Sequence, residues 1–303
     1  MVNIAEDFAS EVALSLRKDL NRQFYQIGGT ESNNNVIATV NGASAATTVT
    51  VDDALTAGTT NSAGPSLGTE FLYPGSLIDI GTDAEHGAGT DDQETVLTVD
   101  SATQITLAAS ATIADGDVIK FRDGDDNGMN GFRSFASASN TFQGVDRSSA
   151  YWAQAPVDTT SEALNETDMV RTLIRTNKRG KVNVILTGHL LYEKYASLLT
   201  SMKRTSSPKE SLLGGFTGLE FAAGGPGVVV VMDHHCPYGD VNFSSISSDY
   251  ITIGELDMGW MDRGEGVLKP TSLTAAYWAS YKFYGNYAVR GFAAHGAMQN
   301  KTT

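Results

Sequence analysis

The chain has 303 residues, 41% of them hydrophobic and 18% charged, with a formal net charge of −14. That is enough apolar material for a real core in one or two domains, and too much for a disordered chain. The acidic balance works against binding phosphate backbones, a single cysteine (Cys236) allows no internal disulfide, and apolar runs such as "GVVVVM" are too short to span a bilayer. The opening "MVNIAEDFASE" has neither the basic nor the apolar block of a signal peptide, so a soluble chain made in a cytoplasm is expected.

The first segment reads as an amphipathic helix: Ile4, Phe8, Val12, Leu16, Leu20 and Phe24 recur every four residues. Asn3 and Glu6 suit a capping box, and Gly28-Gly29 a stop. Because four exceeds 3.6, the stripe winds around the helix and can meet more than one neighbour. From residue 36 to 122 the chain turns into short β-runs: "VIATV", "TTVTV", "EFLY", "SLIDI", "TVLTV", "QITL" and "DVIKF". Residues 100–103 read as the turn of a hairpin between two alternating strands. This stretch holds 12 Asp and Glu against Lys120 and Arg122 alone, a net −10, and reads as an all-β module inserted in a larger fold.

Residues 165–179 predict a second helix, capped by Asn165, with Met169, Val170, Leu173 and Ile174 on one face. "VNVIL" (182–186) predicts a buried strand, and Thr187 the start of a third helix carrying Leu191, Tyr195, Leu198 and Met202. A polar loop, "KRTSSPKES", comes next. Strands are expected at "GLEF", "GVVVVM", "YITIG", "MGWMD" and "GVLKP", and the aromatic stretch 273–290 is expected to be extended. The fold class is therefore α+β with an all-β insertion.

Three motifs could carry chemistry. "GPSLG" (64–68) matches the nucleophile elbow around Ser66, but a polar loop precedes it and Pro65 stiffens it, so a turn is the better reading. "DGDDNG" (123–128) places Asp123, Asp125 and Asn127 as in the first half of a calcium loop. Its twelfth position is Ser134, not a carboxylate, so a plain acidic turn again fits better. "DHHCPYGD" (233–240) holds Asp233, His234, His235 and Cys236 in a row. Adjacent residues of an extended chain face opposite ways, so four consecutive ligands make no tetrahedron. His86, His189 and His295 are scattered, and no Ser, His and acid trio stands out. Neither an enzyme nor a cofactor is expected.

From residue 131 onward the order of signals resembles the major capsid proteins of tailed phages, the Hong Kong 97 fold. The pieces are "NGF", "FQGVDRSSAYWAQAP", the helix followed by "VNVILTGHLLYEKYASLL", "GGFTGLEF", "GVVVVMDHHCPYGDV", "YITIGELDMGW", "EGVLKP" and "AAYWASYKFYGNYAV". The first helix with "IGGTE" (27–31) resembles the family's long spine helix and the turn after it. The resemblance covers about two-thirds of the chain. Met1 lies just before that helix, so the arm and extended loop that family members carry there are expected to be missing, relocated or outside this sequence, and no cross-linking residue carries over.

The resemblance implies residues 1–35 as spine helix and start of a peripheral domain, 36–122 as an inserted β-rich domain and 123–178 as peripheral domain. It implies 179–275 as an axial domain and 276–303 as the return into the peripheral domain. It also implies a structural subunit assembling with itself as hexamers and pentamers into an icosahedral virion shell around double-stranded DNA, built in the host cytoplasm. Portal, scaffold and decoration proteins would be its further partners, and no membrane is involved. The competing readings are an encapsulin-like compartment subunit and a calcium-binding decoration or adhesion protein.

Overall fold

The four-residue apolar spacing of the first segment produces α1 (Ile4–Tyr25), a helix of 22 residues. The computed structural model describes residues 4–26, 35–42, 44–53, 68–82, 92–122, 128–139, 141–201, 219–220, 228–247, 251–262, 269–270 and 277–303. The expected capping box at Asn3, the Gly28-Gly29 stop, "IGGTE" and the polar loop at 203–211 lie outside these residues.

Six strands follow: β1 (Ala38–Val40), β2 (Ser44–Asp53), β3 (Leu77–Gly81), β4 (Asp92–Ser101), β5 (Gln104–Ile113) and β6 (Val118–Phe121). They pair in the order β1-β2-β5-β4-β3-β6 and close into an antiparallel barrel through β1 and β6. Closure removes the open strand edges that a short antiparallel sheet would otherwise expose. Val49, Val51, Ile78, Ile80, Val96 and Ile105 fill its interior, as period-two alternation requires. The β4–β5 hairpin turns through Ala102 and Thr103, with Ser101 opposite Gln104. Ala38 lies opposite Ile119, so the chain enters and leaves the barrel side by side.

One expected strand is a turn. At Glu70–Tyr73 the Leu72 amide donates to the Thr69 carbonyl at 3.1 Å, and Gly75 takes a φ of 89° just beyond. Phe71 and Leu72 bury against the barrel core without joining its ladder. Their hydrophobicity reports burial rather than strand pairing.

The remaining elements, in order, are α2 (Phe132–Phe135), β7 (Thr141–Phe142), β8 (Val145–Asp146), β9 (Val157–Asp158), β10 (Glu162–Ala163) and α3 (Glu166–Asn177). Then come β11 (Val184–Thr187), α4 (His189–Ser201), β12 (Leu219–Glu220), β13 (Val229–Met232), β14 (Val241–Ser244) and β15 (Ile251–Trp260). The chain finishes with β16 (Lys269–Pro270), β17 (Tyr277–Trp278), β18 (Tyr281–Val289), β19 (Gly296–Met298) and β20 (Lys301–Thr302).

A six-stranded mixed sheet runs β12-β13-β11-β14-β19-β9, with β11 and β13 parallel and β14 antiparallel to β11. Residues of α3 and α4 cover it: Met169, Leu173, Leu191 and Tyr195 pack with Ile185, Val230 and Phe243 in one core. Each fully buried aliphatic side chain there contributes roughly 1.5–3 kcal/mol. Asn165 caps α3 as expected, its side chain accepting from the Asp168 amide at 2.9 Å. Ile174, expected on the buried face of α3, is exposed. Thr187 does not open α4: it ends β11, its hydroxyl donating to the Asp240 carbonyl at 3.2 Å, and the helix begins at His189 after Gly188.

The segments "YITIG" and "MGWMD", expected as two strands, form the single strand β15, which pairs antiparallel with β18 through an irregularity between Glu255 and Asp257. This ribbon is two-stranded among the described residues. A third core, rich in phenylalanine, gathers Phe132, Phe135, Phe142 and Phe292, with Phe24 of α1 packed against it.

Gly131 sits where α1 meets this core. A Cβ there would overlap the Gln26 carbonyl and lie 2.5 Å from the Gln23 carbonyl, both backbone atoms that have little room to move. Gly131→Ala is therefore expected to cost about 2 kcal/mol, read as a lower denaturation midpoint with an unchanged denaturant slope.

Candidate functional site

The turn 233–240 is the point where α1, the barrel and the mixed sheet meet. It starts where β13 ends, and Asp233 collects three donors: the Asn21 amide at 3.0 Å, the Tyr25 hydroxyl at 2.9 Å and the His235 backbone amide at 2.9 Å. Burial, followed by the neighbouring Cys236 and Asp233, pushes the Tyr25 phenol well up, so it stays a neutral donor. The same Asn21 amide lies 3.1 Å from His235 Nδ1, which leaves the ring proton on Nε2. Nε2 faces Glu70 of the barrel turn at 3.6 Å, longer than a hydrogen bond, and Phe71 packs beside the ring. The facing His235 ring is the main cause holding the Glu70 carboxyl below its usual range, against the opposing effect of burial.

The four residues of "DHHC" thus point in different directions. His234 is exposed, His235 packs on the barrel, Asp233 bonds α1, and Cys236 is buried. Asn242 donates to Cys236 Sγ at 3.4 Å, and burial raises the thiol well above its ordinary value, so little reactive thiolate forms. The site is a structural clamp between three elements.

A second clamp lies at the other end of the turn. Asp240, almost fully buried, accepts from Arg133 Nε of α2 at 3.0 Å. The Asp240 charge raises the Arg133 pKa. Arg22 adds a third: fully buried at the end of α1, it donates to the Val36 carbonyl, to Asn35 Oδ1 at 2.7 Å and to Asp19 at 3.0 Å, and lies over the Phe71 ring. These long-range contacts carry no local sequence signal.

The other candidates separate. Ser66, His86, Asp123, Asp125 and Asn127 lie outside the described residues. Ser134 is buried, and its carbonyl accepts from Arg147. His189 packs edge-on to Tyr238 at 5.0 Å. Ser244 Oγ meets His295 Nδ1 at 3.2 Å, a contact the sequence did not suggest. Both residues are fully buried and the Phe132 and Phe135 rings pack on the imidazole, so no substrate has a route to the pair. Burial also lowers the His295 pKa to about 4, which makes it a poor general base at neutral pH.

The surface is more informative. Leu14 of α1 is 54% exposed, and Val12, Leu16 and Leu20 on the expected stripe are only half-buried. Beside them, α1, the Phe71–Tyr73 turn, Phe121 and Tyr281 line a groove of about 310 Å³. On another face Tyr151 and Trp152 are 74% and 68% exposed. Tyr151 joins Arg175, Lys178 and Arg179 around a groove of about 470 Å³. Exposed aromatic, apolar and arginine side chains grouped in this way are common at association surfaces.

No protein-family model and no curated protein matches the chain. Among solved structures it is similar to the holo-SrpI encapsulin complex from Synechococcus elongatus PCC 7942, at 14% identity and a TM-score of 0.38, covering 48% of this chain and 52% of that one. It is similar to the Cyanophage A-1(L) capsid asymmetric unit, at 15% identity and a TM-score of 0.43, covering 60% of this chain and 62% of that one. It is also similar to the capsid of an empty GTA particle, at 16% identity and a TM-score of 0.33, covering 58% of each chain. The chain thus spans between about half and three-fifths of the structures it matches.

Proposed function

We propose that this protein is a structural shell subunit, the major capsid protein of a tailed-phage-like virus, and that copies of it tile an icosahedral head around double-stranded DNA. The observation that carries this reading is α1: a 22-residue helix held at its C-terminal end by Arg22 and Tyr25, with apolar side chains left part-exposed farther back. A stable monomer would have little reason to keep such a stripe wet; a tiled subunit covers it with a neighbour. The two-stranded β15–β18 ribbon supports the same reading, because an isolated ribbon is marginal in water and gains from a partner along its edge. The order of sequence signals from residue 131 onward, with its resemblance to tailed-phage capsid proteins, supports the same reading. The barrel is the inserted module of this reading.

Leu14→Asp tests it cleanly, since the side chain is mostly exposed in one subunit and its loss leaves the fold intact. The variant should melt within about 1 °C of the parent, in line with a surface change of under about 0.5 kcal/mol, yet sediment as small species where the parent forms large particles. Particles of parental size from Leu14→Asp would remove α1 from the interface. Nuclease-protected DNA recovered from parental particles supports a virus; protein-filled particles would move the reading to an encapsulin-like compartment.

A further inference from the structure

The basic end of α3 is out of character with the rest of the chain. Arg171, Arg175, Lys178, Arg179 and Lys181 fall within eleven residues of a protein whose net charge is −14. All five are exposed. Arg171 pairs with Asp168, but Arg175, Lys178 and Lys181 have no ion-pair partner among the described residues. Arg179 is held in place by the Tyr151 and Trp152 carbonyls at 3.2 and 3.0 Å, and its guanidinium lies over the Tyr151 ring at 5.3 Å. The result is a rim of cations and the Tyr151 ring around an open groove, with Trp152 exposed next to Tyr151. Tyr, Trp and Arg are the residues that most often dominate the energy of protein interfaces.

The matching surface is on the same chain. The barrel segment 36–122 carries a net −10, and among its described residues Asp52 and Asp115 lie beside one turn while Glu94 and Asp100 lie on β4. Asp52 accepts from the Asn41 side chain at 2.8 Å and Asp115 from the Gly42 amide at 2.8 Å, so both carboxylates are pre-positioned. We infer that the Tyr151–Lys178 groove of one copy docks on the acidic barrel of a second copy. This inference rests on the shell reading above, and it names a contact between subunits that the reading leaves open. Opposite charge at such a contact sets the register of the two subunits and raises the rate of productive encounter; like charge elsewhere suppresses wrong pairings.

The test is a reciprocal charge swap in the full-length protein, followed by light scattering and sedimentation velocity. Raising NaCl from about 50 mM to about 500 mM should weaken parental assembly, because exposed charge pairs are screened beyond about 14 Å at low salt and about 4 Å at high salt. Arg175→Glu with Lys178→Glu should raise the protein concentration needed for half-assembly at least about ten-fold at low salt. The neutral pair Arg175→Gln with Lys178→Gln should give an intermediate rise, and unchanged circular dichroism shows that neither variant is unfolded. Adding Asp52→Lys with Asp115→Lys, or in a separate variant Glu94→Lys with Asp100→Lys, should restore assembly toward the parental level in one of the two combinations. Assembly untouched by the α3 reversals, or rescued by neither barrel reversal, overturns the inference while leaving the shell reading in place. A parent that never assembles removes the shell reading itself, and the inference with it. Tight binding of a duplex of about 20 base pairs, lost in Arg175→Glu with Lys178→Glu while assembly is kept, would instead make the groove a phosphate site and also overturn the inference.

Discussion

Arg133→Met is expected to destabilise the protein by about 3 kcal/mol. Arg133 is partly exposed, but its partner is not: the Asp240 side chain is 1% exposed and accepts the Arg133 Nε at 3.0 Å. Asp240 Oδ1 has no hydrogen-bond partner among the described residues, so the arginine supplies the compensation for a carboxylate taken out of water. Removing it leaves a charge buried between α2 and the 233–240 turn. Asp240→Asn in the same background removes that charge, and the double variant should recover about half of the loss. Asp240→Asn alone should cost less than Arg133→Met, because the freed arginine can turn toward solvent. Denaturant titration of the four proteins gives the coupling directly. A coupling below about 0.5 kcal/mol would mean that the pair is a surface contact and not a clamp.

The second large effect is acid sensitivity from His295. Its pKa in the fold is about 4 against an ordinary 6.5, because burial among phenylalanine rings disfavours the charged ring. The folded form therefore releases its proton more readily than the unfolded form. Between pH 6.5 and 4 the unfolded chain binds more protons, so stability rises with pH in that window and is lost as pH falls through it. The full shift corresponds to about 3 kcal/mol, present above pH 6.5 and gone below about pH 4. His295→Gln should flatten the pH dependence across this window relative to the parent, even though it lowers stability at pH 7. An identical slope in the two proteins would mean that His295 takes up its proton at the same pH in the folded and unfolded chain.

Much of the fold is legible in the sequence, and the places where reading fails share one cause. The barrel strands alternate because one face of each is inside, and that periodicity needs no knowledge of partners. The turn at Glu70–Tyr73 misleads because Phe71 and Tyr73 look like a strand; burial of Phe71 comes from its place under Arg22, which is forty-nine positions away. Thr187 looks like a helix cap, but its hydroxyl is spent on Asp240, a partner no local pattern reveals. Residues 255–257 look like a break between strands and turn out to lie inside one strand, at an irregularity the ladder absorbs. The clamp built from Asn21, Tyr25, Asp233, His235 and Glu70 was hidden for the same reason. The motif "DHHC" showed what it could not be, since neighbours on an extended chain diverge; its contacts came from three separate elements. The exposed pair Tyr151 and Trp152 had a weak signal, two large aromatics beside "DRSSA", that polar surroundings kept from reading as core.

The central claim is that this chain closes a surface with copies of itself. Negative-stain electron microscopy of the purified full-length protein tests it most directly, over a range of concentration and salt. The account predicts uniform closed particles, or hexamer-sized and pentamer-sized rings under conditions that stop short of closure. A field of single subunits at every condition, with light scattering giving the mass of one chain, would contradict it.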